Sequence, residues 1–189
     1  MKVLMAVAGV LALLLGLAAA FVVSGAYDVA ADVPHRDYTE DLIEMVRERS
    51  LQRRIRDIEV PPLDDGTMIA EGAEHYAAMC TGCHLAPGIG KTELRQGLYP
   101  RPPDLTQRHA RRTPQRAFWV LKHGLKFTGM PAWGTTHDDA SLWGIVAFLE
   151  RLPDLSPEEY ARMTRKPEPA PGTPAKAEPP EHDHSTHRH

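Results

Sequence analysis

At 189 residues the chain has room for one modest domain with appendages, not for two full cores. Its 22 basic and 25 acidic side chains leave a formal net charge of -3, which excludes a general nucleic-acid binder with a clearly basic surface. Only two cysteines occur and they sit three positions apart, so a disulfide-stapled scaffold is excluded too.

Residues 3–23 contain no charged or strongly polar side chain. A cleavable signal has an apolar centre of roughly 7–15 residues, whereas a spanning helix needs about 20. Lys2 precedes the run and Asp28, Asp32 and Asp37 follow it, which places the main body outside the cytoplasm. Segment 1–26 therefore reads as a transmembrane anchor or uncleaved signal. The alternative is a long signal cleaved near Ser24-Gly25-Ala26. Either way the chain is exported.

Segment 27–64 reads as a stalk with a charged helix. Thr39 is a candidate cap for a helix running to about residue 57, in which Leu42, Ile43, Val46, Leu51, Ile55 and Ile58 interrupt charged sequence. Pro61 and Pro62 are expected to end it. It can lie near the membrane surface, pack on the globular part, or stand as a solvated helix.

The core candidate is 65–155. A first helix is expected over 68–79, with Ile69, Gly72, Ala73, Tyr76 and Ala77 along one face. The Gly/Pro-rich stretch 87–105 shows no strand alternation. Thr113-Pro114 is a helix start, with a capping residue before a first-turn proline, and Gly124 should stop that helix after His123. A last helix should begin at Asp138 or Asp139 and carry Leu142, Trp143, Ile145, Val146, Phe148, Leu149 and Leu152 up to Pro153. The fold class is all-α with long loops. Segment 156–189 reads as a flexible tail rich in Pro, Ala and Glu, ending in a His-rich tract.

The sharpest chemical signal is Cys80-Thr81-Gly82-Cys83-His84. Two thiols so spaced can each form a thioether to a haem edge, and the adjacent imidazole can bind the iron. A redox dithiol would follow a strand, and a zinc site would need a second cysteine pair. Met130, in Thr128-Gly129-Met130-Pro131-Ala132-Trp133, is the candidate for the opposite iron face. Glycine before it permits close backbone approach and proline after it stiffens the loop. A thioether ligand stabilises ferrous iron and suits an electron carrier. The plainer reading is a buried apolar methionine. Met68 and Met163 lie near the ends of the core and Met79 is tied to the attachment turn. His109, His123 and His137 stand as substitutes.

On these residues, 68–152 resembles the class I cytochrome c family. The resemblance implies helices wrapped around one covalent haem c, with Gly72 and Tyr76 crossing a terminal helix at Ile145 and Phe148. Met130-Pro131 resembles the family's distal ligand pair. Pro87-Gly88-Ile89-Gly90 resembles the loop beneath the proximal face, where Pro87 buttresses His84 and a carbonyl orients its ring. Pro102-Pro103-Asp104-Leu105 resembles the segment closing the haem edge. Trp119, Trp133, Arg101 and Lys122 are candidates for porphyrin or propionate contacts, with core packing or a docking surface as the plainer roles. Compact bacterial members are the nearest in spacing, which implies the inner membrane with a periplasmic haem domain, or a soluble periplasmic protein after signal cleavage.

The resemblance implies a carrier of single electrons without a catalytic residue of its own. Its partners are a redox donor and acceptor, a membrane oxidase or a periplasmic dehydrogenase among them. The alternative is a haem c subunit built into a larger oxidase or dehydrogenase complex. His182, His184, His187 and His189 with Asp183 form a tract able to hold Cu or Zn loosely, which leaves a copper-handling protein as a further reading.

Overall fold

The computed structural model describes residues 1–108 and 112–165. Among these there is no strand, only an isolated bridge between Ala86 and Ile89, so the all-α class holds. The first helix, α1 (Lys2–Ser24), buries nothing and is long and apolar enough to cross a membrane. That length and composition support membrane anchoring, and a cleaved signal has the same features.

Helix α2 (Asp37–Arg54) starts two residues before the expected Thr39 cap and ends well before Pro61. Asp37 and Glu40 supply acidic charge to its first turn, and no side chain caps it. It leaves the helical path after Ile55 because Ile58 and Leu63 turn inward to pack on the core. Leu51 is 1% exposed, and the Glu48 carboxylate pairs with Arg116 at 2.9 Å. The stalk helix thus lies against the globular part on one side.

Helix α3 (Gly66–Met79) is capped by Asp65, whose side chain accepts from the Met68 nitrogen. It runs into the single turn α4 (Thr81–His84) and is followed by the short α5 (Glu93–Gly97). Helix α6 (Pro114–His123) begins with the expected Thr113 cap and first-turn proline. Helix α7 (Asp139–Arg151) is capped by Asp138 and is buried continuously over 142–149. Such a run, apolar on all sides, marks α7 as the central element on which the others lie.

The α3–α7 crossing is the centre of the fold. Tyr76 meets Phe148 with ring centroids 5.4 Å apart, and Gly72 lies against the α7 backbone at Gly144 and Ile145. These are the crossing residues that the family resemblance implied. Helix α6 adds a parallel stack of Phe118 on Trp143, with centroids 4.1 Å apart. Burying an aromatic or large aliphatic side chain contributes roughly 1.5–3 kcal/mol, so these few residues carry much of the core.

One part of the expected tail is structured. Residues Pro157–Met163 form α8, closed by a capping box between Ser156 and Glu159. Tyr160 is buried in the core cluster, 6.3 Å from Phe148 by ring centroids. The ordered domain therefore extends past residue 155, because one aromatic side chain from the following segment completes the core. The C-terminal histidine tract and His109 lie outside the described residues.

Candidate haem-binding site

Three backbone hydrogen bonds build the attachment turn. The Cys80 amide continues α3 by donating to the Tyr76 carbonyl at 2.9 Å, and the His84 and Cys83 amides fold back on the Cys80 carbonyl at 2.8 and 3.1 Å. Cys80, Cys83 and His84 are thereby gathered on one turn. The two cysteines do not form a disulfide; Cys80 is buried and Cys83 partly so. Burial, with Cys83 beside it, pushes the Cys80 thiol up to about 12. The turn follows the helix α3, whereas a redox dithiol would be expected to follow a strand.

His84 is oriented by the chain nineteen residues on. Its Nδ1 lies 2.9 Å from the Pro103 carbonyl, and since a carbonyl can only accept, Nδ1 carries the proton. The Nε2 lone pair is left for a metal. Burial holds the imidazole below its ordinary pKa; the Pro103 bond opposes this and the Arg95 charge adds to it. A neutral imidazole with one tautomer fixed from behind is the ligand form that iron requires. The orienting carbonyl comes from the 102–105 segment, not from the 87–90 loop where the resemblance put it.

The 102–105 segment is itself tied down. Arg95 donates to the Pro102 carbonyl at 3.1 Å, and Arg112 spans the Leu105 and Leu149 carbonyls at 3.2 and 3.0 Å. The Leu105 amide returns to the His84 carbonyl at 3.2 Å. Tyr76 completes the cage by donating its hydroxyl to the Leu85 carbonyl at 2.7 Å. Leu85 has φ 67° and ψ -179°, a backbone region used almost only by glycine. Strain therefore sits directly after the histidine, held by neighbours on every side.

Met130 is partly buried against the core. The Thr128 hydroxyl donates to the Leu125 carbonyl at 2.8 Å and accepts from the Met130 amide at 3.1 Å, while the Leu125 amide donates to the Met130 carbonyl at 3.2 Å. Gly124 lies beneath this loop, where a Cβ would come within 2.8 Å of the Met130 oxygen. A Cβ on Gly129 would come equally close to Leu98 Cδ2. The stretch 98–103 thus braces both candidate ligand segments, through Leu98 under Gly129 and through Pro103 on His84.

The remaining candidates have local partners. Lys122 pairs with Asp139 at 2.7 Å and stands 5.6 Å over the Phe118 ring, Trp119 tilts against His123, and Trp133 meets His137 edge-on. Arg101 is exposed. The sequence does not show the Leu98 packing, nor that Pro103 of the expected haem-edge segment orients His84, nor that the helix stop Gly124 lies under Met130. Among the described residues no group of three or more His, Cys, Asp or Glu side chains is placed to hold a metal ion.

The all-α fold, the CxxCH turn and the oriented imidazole give residues 67–149 class I c-type cytochrome character, with one covalent haem c as cofactor and electron transfer as the role. The same residues match the family described as cytochrome C oxidase, cbb3-type, subunit III, over somewhat less than half of the chain. Comparison with curated proteins and with solved structures gave no match.

Proposed function

We propose that this chain is the haem c subunit of a membrane oxidase, taking single electrons from a donor outside the cytoplasm and passing them into the complex. The observation that carries this reading is the match of residues 67–149 to an oxidase subunit family. It favours an oxidase over a dehydrogenase as partner, and a built-in subunit over a freely acting tethered carrier. In this reading 1–26 anchors the chain, 27–64 connects it, and the domain from 65 onward holds the cofactor.

Cys80 and Cys83 would hold the haem through thioether bonds, and His84 Nε2 and the Met130 sulfur would bind its iron. The bound haem supplies reversible one-electron exchange between ferric and ferrous iron. The bond from His84 Nδ1 to the Pro103 carbonyl fixes the tautomer and restrains ring rotation. Met130 contributes a soft sulfur donor, which favours the ferrous state and raises the potential. Leu98 and Gly124 pack closely against the methionine loop, and the Thr128 hydroxyl accepts from the Met130 amide within it.

Purification in a mild detergent tests the assembly. Larger oxidase subunits and oxygen consumption should travel with the haem c chain. If all of the haem c chain elutes alone with oxygen consumption elsewhere, the subunit reading fails and the tethered carrier replaces it. Met130→Ala tests the ligand: haem should stay covalently bound while a low-spin spectrum becomes high-spin and CO-reactive.

A further inference from the structure

We infer that the outward face of α2 is a membrane-surface element that seats on an anionic bilayer and so fixes how the domain stands on the membrane. At about 100° of rotation per residue, Tyr38, Leu42, Met45, Val46, Arg49 and Arg53 fall within one sector about 100° wide. All six are exposed, with Tyr38 at 68%, Leu42 at 59%, Met45 at 57% and Val46 at 61%. No carboxylate of α2 lies in this sector. Glu40 and Glu44 lie on the opposite side of the helix, Asp37 and Glu48 lie further round, and Asp41 flanks the sector next to Met45.

The inner side has partners. Leu51 is buried, Glu48 pairs with Arg116, and Glu40 accepts from the Tyr99 hydroxyl at 3.1 Å. What remains outward is a strip combining four apolar side chains with two arginines. Water gives the apolar groups no stabilisation, and an apolar core would strand the arginines. An interface suits both, since apolar groups enter the acyl boundary while arginine stems reach up to phosphates.

Two observations select lipid as the occupant. The sector carries only positive charge, which complements anionic headgroups. The helix also follows α1, the segment apolar enough to cross the bilayer, after a connection of residues 25–36, about 40 Å at most when fully extended, which keeps α2 within reach of the surface. Tyr27 lies within this connection, with its hydroxyl on His35, and Tyr38 opens α2; tyrosine favours the headgroup level. Because α2 is fastened to the domain by Glu48, Leu51 and Glu40, seating the helix orients the domain with it.

The test uses the full haem-loaded chain in nanodiscs of phosphatidylcholine alone or mixed with phosphatidylglycerol, spin-labelled at Val46→Cys. A label at Glu74→Cys, on exposed α3 surface, is the control. In the anionic discs the Val46 label should gain several-fold in oxygen over polar-relaxant accessibility, and the Glu74 label should not. Adding Arg49→Glu and Arg53→Glu should abolish the gain with the haem spectrum unchanged. Equal water accessibility of the Val46 label in both lipids overturns the inference. Protection seen only in native membranes that retain other proteins also overturns it, by assigning the face to a protein.

Discussion

Gly72 and Gly144 bring the backbones of α3 and α7 into direct contact: a Cβ on Gly72 would lie 1.9 Å from the Gly144 carbonyl oxygen. The obstacle is main chain on a buried helix, which no rotamer change removes. Gly72→Ala must therefore push the helices apart at the crossing that delivers Cys80. Overpacking usually costs about 1–3 kcal/mol, and contact with backbone puts this site at or above the upper end. Thermal unfolding of the haem-loaded protein should show the loss. Gly66→Ala, with nothing within 4 Å of the added methyl, should leave the midpoint nearly unchanged.

Tyr76 joins that crossing to the attachment turn. Its ring packs on Phe148 while its hydroxyl donates to the Leu85 carbonyl. Burial pushes the phenol pKa upward, so the group stays a donor throughout the usable pH range. Tyr76→Phe keeps the ring but leaves a buried carbonyl short of a donor on a strained residue. The expected cost is about 1–3 kcal/mol in a denaturant titration. Haem attachment should persist, because the cysteines are untouched.

What the sequence disclosed follows the same division between side-chain and backbone chemistry. The Thr113-Pro114 start, the Asp138 cap and the CxxCH turn are written in side chains whose local roles do not depend on distant structure, and their positions could be read directly. The contact of Pro103 with His84 could not be found this way, because its contribution is a carbonyl that every residue possesses. Gly124 was visible as a helix stop, but its closeness to Met130 depends on how the loop folds back. The α8 start carried a legible Ser156–Glu159 signature. It was submerged in a Pro- and Glu-rich stretch with little to bury beyond Tyr160. The start of α2 was misplaced because Asp37 and Glu40 favour it through charge without any capping hydrogen bond.

Gly124 gives a way to disturb the methionine without changing it. Its φ of 64° and ψ of -171° fall in a region essentially restricted to glycine, and the Met130 and Pro131 backbones lie on the missing side chain. Gly124→Ala faces both backbone strain of about 1–3 kcal/mol and a clash, so the loop should shift. If Met130 is the distal ligand, the oxidised protein should gain high-spin character and the potential should fall. A spectrum and potential identical to the original would show that the loop does not hold the iron ligand.

Helix caps should shape the acid limb of stability. The Asp138 carboxylate accepts from the Ser141 amide at 2.8 Å, and the bonds from Ser141 hold its pKa below the ordinary value of 3.8, with His137 and His75 adding to the shift. Glu159 is lowered in the same way by Ser156, from 4.5. For a carboxylate depressed on folding, the stabilisation is complete above the unfolded pKa and is lost as pH falls through the lower folded value. These two groups should therefore contribute fully from neutrality down to about pH 5 and progressively less below it. Asn caps helices about as well as Asp but does not titrate, so Asp138→Asn keeps the α7 cap and removes its proton. Its melting temperature should fall less steeply with acid than that of the original, while the two stay close at neutral pH. Parallel acid limbs for the two proteins would mean that the cap at the start of α7 holds no pH-dependent stability.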